Sequence, residues 1–338
     1  MISNKTGISL ALAVWAVNDD YDYQSEENYI SVTTLMKPLR QIVLPRRVKA
    51  EEREEVDVID LISRALGNSI HDSVEKAWVI NYKKNLRKLG TPEGVINRVL
   101  VNPTDEELVD FRKRTNCKVD PILVYVEQRA MKKVKTARKV WTVGGKFDMV
   151  TDGIVNDTKT TTAYTWLYGG KDGDYSQQGS LYRWLNPDKI TEDFVRINFL
   201  FTDWQKSSAK TNPNYPQARV EFKDIPLIDI TETEKWVVDK LEQIERFMTV
   251  PEDQIPKCSD ADLWLSDPVF KFYLKPETAM AGGRATKNCD SMAEAREYMA
   301  SKGGKGTIIT IKGEPKRCDW CDAFAVCTQK DGFDKYKS

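Results

Sequence analysis

Residues 145–162, GKFDMVTDGIVNDTKTTT, read as two β-like runs joined at Asp152-Gly153. Asp-Gly between such runs is a strong signal for a two-residue hairpin turn, because both central positions take positive φ. With that turn fixed, the predicted register follows: Thr151 with Ile154, Val150 with Val155, Met149 with Asn156 and Asp148 with Asp157. Side chains alternate along a strand, so Asp157 and Lys159 share a face and Asp148 stands opposite Asp157 on it. Directly opposed Cβ atoms lie about 4.5–5.5 Å apart, and like charges so placed repel. Two aspartates there call for a cation between them, and a divalent ion with hard oxygen ligands is the natural occupant. Lys159 on the same face can stabilise developing negative charge or orient an attacking water. The same pattern also suits a polar, solvent-facing hairpin side.

Outward from this hairpin the chain alternates. Strand-like runs cover 122–126, 140–150, 154–162 and 194–201, with helical spacing over 56–89, 176–185 and 233–247. Thr104 followed by three acidic residues marks another helix start. Residues 31–50, punctuated by Pro38 and Pro45, read as a connection. Strands interleaved with helices imply an α/β fold, a central mixed sheet flanked by helices. After Pro251 a small β-α-β pattern (270–274, 292–300, 307–311) precedes a cysteine-rich tail. A single core seldom grows past about 250–300 residues, so a main domain over 1–250 and a small unit over 251–338 are expected.

The chain has 338 residues with 51 Lys+Arg against 51 Asp+Glu, so net charge points to no polyanionic partner. A nucleic-acid surface must then be a local basic patch. Two candidates are Lys83-Lys84 with Arg87-Lys88, and Lys132-Lys133-Val134-Lys135 with Arg138-Lys139, although basic runs are commonly solvated faces. No apolar run reaches the roughly 18–20 residues of a membrane span. Residues 8–17 are apolar, but acidic residues follow at once and no cleavage site is set off from the run. They are expected to form an early helix packed on the core. Three of the six cysteines fall in the last 21 residues, which favours a metal over disulfides and hence a reducing cytoplasm. Cys318, Cys321 and Cys327 can converge on one ion or cluster, and a fourth thiolate is needed. Cys117 precedes the hairpin and Cys289 lies in the β-α-β unit, whereas Cys258 opens the segment that the tail closes; it is the chosen fourth.

His71 is the chain's single histidine, and on a helix it shares a face with Glu75, as Gln178 does with Tyr182. A lone histidine is commonly a surface or satisfied core residue, and Gln178 and Tyr182 also fit ordinary amphipathic positions. In order along the chain, however, His71, Gly145-x-x-Asp148, Asp157-x-Lys159 and Gln178-x-x-x-Tyr182 resemble the PD-(D/E)XK nuclease superfamily, specifically its RecB-like branch. The resemblance implies a restriction-endonuclease-like core in which His71, Asp148, Asp157 and the Thr158 carbonyl hold Mg²⁺ or Mn²⁺. Glu75 and Glu127 become outer or substitute ligands. Lys159 acts on the scissile phosphate, with Gln178 hydrogen-bonding near it and Tyr182 lining the DNA strand. The tail resembles that of AddB-type nucleases, implying a 4Fe–4S cluster on Cys258, Cys318, Cys321 and Cys327, with Zn²⁺ as the alternative. One departure is that the lone cysteine of those relatives precedes the catalytic motifs, whereas Cys258 follows them. The implied function is a metal-dependent DNA exonuclease, phage-encoded and acting in recombination, replication or DNA degradation in the bacterial host cytoplasm. Its implied partners are DNA and a phage recombination or replication protein, with no membrane. The alternatives are a structure-specific endonuclease with the same site, and a catalytically idle DNA-binding accessory protein.

Overall fold

A computed structural model describes residues 2–20, 22–24, 26–53 and 55–337. The chain divides into two compact units, Met1–Met36 with Glu55–Gln243, and Lys37–Glu54 with Ile244–Ser338. Residues 37–54, read in the sequence as a connection, thus count with the second unit.

The first unit is built on a mixed sheet. Its strands are β1 (Tyr29–Ser31), β2 (Val99–Val101), β3 (Ile122–Lys135), β4 (Val140–Thr151), β5 (Ile154–Thr161), β6 (Phe194–Phe201) and β7 (Val220–Pro226). The order is β2-β3-β4-β5-β6-β7, and β1 also pairs with β4. Helices α1 (Leu10–Val17), α2 (Ile62–Val79) and α3 (Asp172–Leu185) belong to this unit, and α4 (Ile230–Phe247) runs to its boundary. The architecture is the expected α/β one. Along β6, Val195, Ile197, Phe199 and Phe201 are buried at every second position, as a strand with one covered face requires. Leu181 and Trp184 of α3 are buried too, and each such side chain contributes about 1.5–3 kcal/mol.

The turn forms as its residues dictate: Asp152 and Gly153 have φ of 49° and 77°, the doubly left-handed geometry of a tight hairpin. Three predicted pairs are present, Thr151 with Ile154, Val150 with Val155 and Met149 with Asn156. The fourth, Asp148 with Asp157, is not a ladder pair. From Val155 to Thr161, β5 pairs parallel to β6, and that longer ladder draws it away from β4. Farther along the same side of β4, Tyr29–Ser31 pair with Thr142–Gly144. Gly145–Asp148 therefore face a fork between two neighbours, and among the described residues no strand pairs with them there.

β3 runs well past the expected 126. Its outer half is Lys- and Arg-rich, which dilutes the strand signal. Val126 pairs with Met149 and Gln128 with Phe147, so Glu127 stands opposite Asp148 with no inserted residue, yet its φ is 52°. A left-handed non-glycine residue inside a strand is strained by about 1–3 kcal/mol. Helix α1 meets the expectation of core packing only along a narrow stripe. Ala13 and Ala16 are buried, whereas Leu10 and Val14 are 76% and 61% exposed.

The second unit holds a three-stranded antiparallel sheet of β8 (Val269–Tyr273), β9 (Lys287–Cys289) and β10 (Thr307–Ile311), in the order β9-β8-β10. Helix α5 (Met292–Ser301) packs on it, with Tyr298 edge-on to Phe272 at 5.3 Å. Two arginines fix residues 37–54 to the later chain. Buried Arg40 donates to the carbonyls of Glu252 (3.1 Å) and Ile255 (2.9 Å) and pairs with the Glu252 carboxylate. Arg47 Nη2 donates to the carbonyls of Phe247, Met248 and Val250, satisfying carbonyls at and just beyond the C-terminal end of α4.

Candidate active site

The fork beside β4 opens a cleft of about 460 Å³ lined by His71, Glu75, Glu127, Lys146, Asp148, Asp157, Lys159, Gln178 and Tyr182, among others. They arrive in pairs from four elements, with Glu127 added from β3. Lys146 and Asp148 alternate onto the same face of β4, Asp157 and Lys159 onto one face of β5. His71 and Glu75 stand one turn apart on α2, and Gln178 and Tyr182 one turn apart on α3. Gly145 lets α3 close in, since a Cβ there would meet Val32 Cγ2 at 2.8 Å and Tyr182 Cε1 at 3.1 Å. All the residues singled out in the sequence for this site, Thr158 included, line this cleft or a smaller cavity beside it.

Ligand atoms of His71, Glu127 and Asp148 all lie within 4.8 Å of one another. His71 Nδ1 is 3.2 Å from Asp148 Oδ2, and that hydrogen bond holds the imidazole above its usual pKa against the effect of burial. Burial, with Asp148 and Glu75 nearby, pushes the Glu127 carboxyl up, opposed by Lys146 at 2.5 Å. Glu127, a secondary candidate in the sequence, is thus one of the three groups that meet. The signal that could have promoted it is register, since it stands opposite Asp148.

Asp157 falls outside that trio. It is 4% exposed, and burial pushes its carboxyl up to about 6 although Lys159 opposes the shift. Lys159 Nζ approaches Asp157 Oδ2 at 2.6 Å, but off the hydrogen-bonding direction, and that buried oxygen has no hydrogen-bond donor. Burial alone lowers the Lys159 pKa, yet the charge and closeness of Asp157 outweigh it and hold the ammonium above its ordinary value. Lys159 Nζ also stands 3.5 Å from Gln178 Oε1, and Gln178 Nε2 donates to the Tyr182 hydroxyl at 2.9 Å. Thr158 N–H donates to Asp148 Oδ2 at 3.2 Å. A strand residue turns its N–H and C=O to the same side, so the Thr158 carbonyl also faces the fork.

These donors fit a divalent cation. The trio combines imidazole nitrogen with carboxylate oxygen, a mixture suited to Mn²⁺ as well as Mg²⁺. Asp157 Oδ2, 2.6 Å from the Lys159 ammonium, supplies a further anionic oxygen beside the trio.

In the second unit, Cys258, Cys318, Cys321 and Cys327 line one void of about 20 Å³ together with Arg40 and Gln41. Burial and the neighbouring sulfurs push the Cys258 and Cys318 thiols up to about 11. Gln41 Nε2 lies 3.8 Å from Cys258 Sγ and Arg40 Nη1 3.5 Å from Cys327 Sγ, so residues 37–54 take part in this site. Tetrahedral zinc with bonds of about 2.3 Å holds its sulfurs closer than 4 Å. Among the described residues, no three of these sulfurs lie within 4.8 Å of one another. Cys117 is exposed in the first unit, and Cys289 is buried in β9.

No family model matches the sequence, and no curated protein matches it. Among solved structures, the protein SSO0001 aligns over 70% of this chain and 87% of its own, with 15% identity and a TM-score of 0.40. A phage-related exonuclease from Haemophilus somnus 129PT aligns over 54% of this chain and 83% of its own, with 13% identity and a TM-score of 0.22. Similarities this slight define no family. No helix among the described residues is long and apolar enough to cross a membrane.

Proposed function

We propose that the chain is a metal-dependent deoxyribonuclease, most specifically an exonuclease of the RecB-like type encoded by a phage and working in the host cytoplasm. The observation that carries this reading is the convergence on one cleft of His71, Glu127 and Asp148 with the Asp157–Lys159 pair and the Gln178–Tyr182 pair. His71, Glu127 and Asp148, with Asp157 and the Thr158 carbonyl beside them, hold the metal. A bound divalent cation polarises the scissile phosphate and lowers the pKa of a water. Lys159, kept charged by Asp157, faces the cleft as a fixed cation for the negative charge that develops on the phosphoryl oxygens. Gln178 restrains Lys159 through Oε1 and Tyr182 through Nε2, so α3 sets the reach of both side chains. The groups brought together recognise a phosphodiester and no particular base, so sequence preference is low.

The test is incubation with linear and circular DNA, end-labelled at either terminus, in Mg²⁺ or Mn²⁺, with Asp148→Ala as control. Degradation of linear DNA alone supports an exonuclease. Nicking of circles selects the endonuclease reading, and binding without cleavage selects the accessory-protein reading. The four thiols on one void support a resident 4Fe–4S cluster in the second unit, with zinc as the alternative.

A further inference from the structure

The β3–β4 ribbon carries more than the acidic end of the cleft. In its register Arg129 pairs with Lys146, Lys133 with Thr142 and Lys135 with Val140, and Glu127 stands opposite Asp148. Side chains directly opposed across two strands share a sheet face, and that face recurs every second residue. The left-handed φ of Glu127 interrupts that alternation; beyond it Arg129, Met131, Lys133 and Lys135 lie on the same face as Lys146, whose Nζ is 2.5 Å from the Glu127 carboxylate, while Val134, Trp141, Val143 and Phe147 are buried on the other. Arg129 is engaged by Tyr29 Oη and the Asp22 carbonyl. The Tyr29 ring fills the place of a side chain at Gly144, where a Cβ would meet its Cε2 at 2.6 Å. Beyond it, Lys133, Lys135 and, at the ribbon's turn, Arg138 are exposed.

Other cations of this ribbon are occupied. Lys132 pairs with Glu234 and lies over the Trp184 ring, and Lys139 donates to Asn28 and lies over Trp141. Among the described residues, the Lys133, Lys135 and Arg138 head groups have neither an ion pair nor a side-chain acceptor. Asp22, from the acidic stretch Asp19–Glu27 that leads into β1, reaches Arg129 of β3 through its carbonyl and, at 3.7 Å, its carboxylate, and Lys133, Lys135 and Arg138 lie farther along the ribbon than this pair. Three like charges held together without a counter-charge, in a chain with as many acidic as basic residues, complement a polyanion.

Distance fixes which part of the polyanion. Antiparallel strands rise about 3.4 Å per residue, so Lys133 and Lys135, six and eight positions from Glu127, stand about 20 and 27 Å along the ribbon from the acidic cluster. One strand of a DNA duplex presents a phosphate about every 3.4 Å of axis. We infer that the outer end of the β3–β4 ribbon, through Lys133, Lys135 and Arg138, binds the DNA backbone about six to eight nucleotides from the bond being cut. This rests on the nuclease reading of the cleft.

The test compares the full chain with a Lys133→Ala/Lys135→Ala/Arg138→Ala variant. All three side chains are exposed, so the fold persists, and an unchanged melting temperature verifies that. The probes are a duplex of about 30 base pairs of arbitrary sequence, long enough to reach past the ribbon, and bis(p-nitrophenyl) phosphate, which spans only the reacting phosphodiester. Each phosphate contact contributes about 0.9 to the slope of log affinity against log salt. The slope for duplex binding in Ca²⁺ therefore falls by about 2–3 in the variant, and KM for the duplex in Mn²⁺ rises at least about tenfold. Turnover of saturating duplex and hydrolysis of bis(p-nitrophenyl) phosphate stay at the wild-type level. An unchanged salt slope and KM overturn the inference and leave these cations for another acidic partner. If neither protein cleaves either probe while the slope still falls, the nuclease reading fails and the DNA surface stands.

Discussion

Replacing Glu127 with Gln tests which residues hold the metal, because the change keeps the side chain's shape and removes one of the two carboxylates in the trio His71, Glu127 and Asp148. A ligand bound only by the folded state at a hundred times its Kd stabilises by about 2.7 kcal/mol. Even outer partners of metal ligands cost about 10–100-fold in affinity when removed, so loss of a direct carboxylate weakens binding by at least about 100-fold. At the same metal concentration about 0.4 kcal/mol then remains. For a unit of this size each kcal/mol shifts Tm by about 2–4 °C. Saturating Mn²⁺ should thus raise the wild-type Tm by about 5–11 °C over the chelated protein, and the Tm of Glu127→Gln by only about 1–2 °C. Metal-free stability should change little, since Lys146, the partner of Glu127, is 31% exposed and can turn to water. The assay is thermal unfolding across a Mn²⁺ titration. A Glu127→Gln protein that keeps the full metal shift, while Asp157→Asn loses it, would refute the trio and restore the ligand set implied by the sequence.

Three further outcomes are expected. Opposed aspartates taken from the hairpin alone imply that Asp157→Ala relieves repulsion, but Asp157 is paired with Lys159. Burial and Asp148 nevertheless hold its carboxyl up to about 6, so the charge opposes folding at neutral pH and the stability of metal-free Asp157→Ala relative to wild type should rise as pH increases from about 4 to about 7; a difference that does not change with pH in calorimetry would refute this. Asp57 accepts from the Thr6 hydroxyl and from the amides of Ile59, Lys5 and Thr6, which holds its carboxyl down to about 2. A depressed carboxyl stabilises fully above its ordinary value of 3.8 and loses that contribution as pH falls through about 2. The stability difference between wild type and Asp57→Ala should therefore be level at neutral pH and vanish toward pH about 2, and a gap that persists in acid would exclude this clasp. Finally, anaerobically purified protein should carry iron and sulfide that Cys321→Ser diminishes; a colourless, metal-free wild type whose unfolding ignores that substitution would remove the cluster.

The hairpin was legible because Asp152-Gly153 admits one tight turn, and β6 because apolar residues alternate along it. The capping box of Thr104 and Glu107 formed as Thr104 and the acidic residues after it foretold. What escaped has physical causes. Extending the hairpin register to Asp148 and Asp157 assumed that the antiparallel ladder continues, whereas seven parallel pairs with β6 compete for β5. The outer half of β3 was hidden by its lysines, and β1 and β2 are three residues each, too short for a period to show. Glu127 owes its place to a left-handed φ within a strand, a property that no apolar pattern encodes.

The arginines of residues 37–54 bear on how the protein can be made. Val43 and Leu44 are buried in one cluster with Ile255 and Ala323, so an early stretch of the polypeptide is completed only by residues synthesised more than 200 positions later. During synthesis that stretch stays uncovered until Ile255 and Ala323 have emerged. A fragment ending near residue 250 would carry the entire cleft and yet expose Val43, Leu44 and the unsatisfied guanidinium of Arg40. Such a fragment invites aggregation for reasons unrelated to its catalytic half.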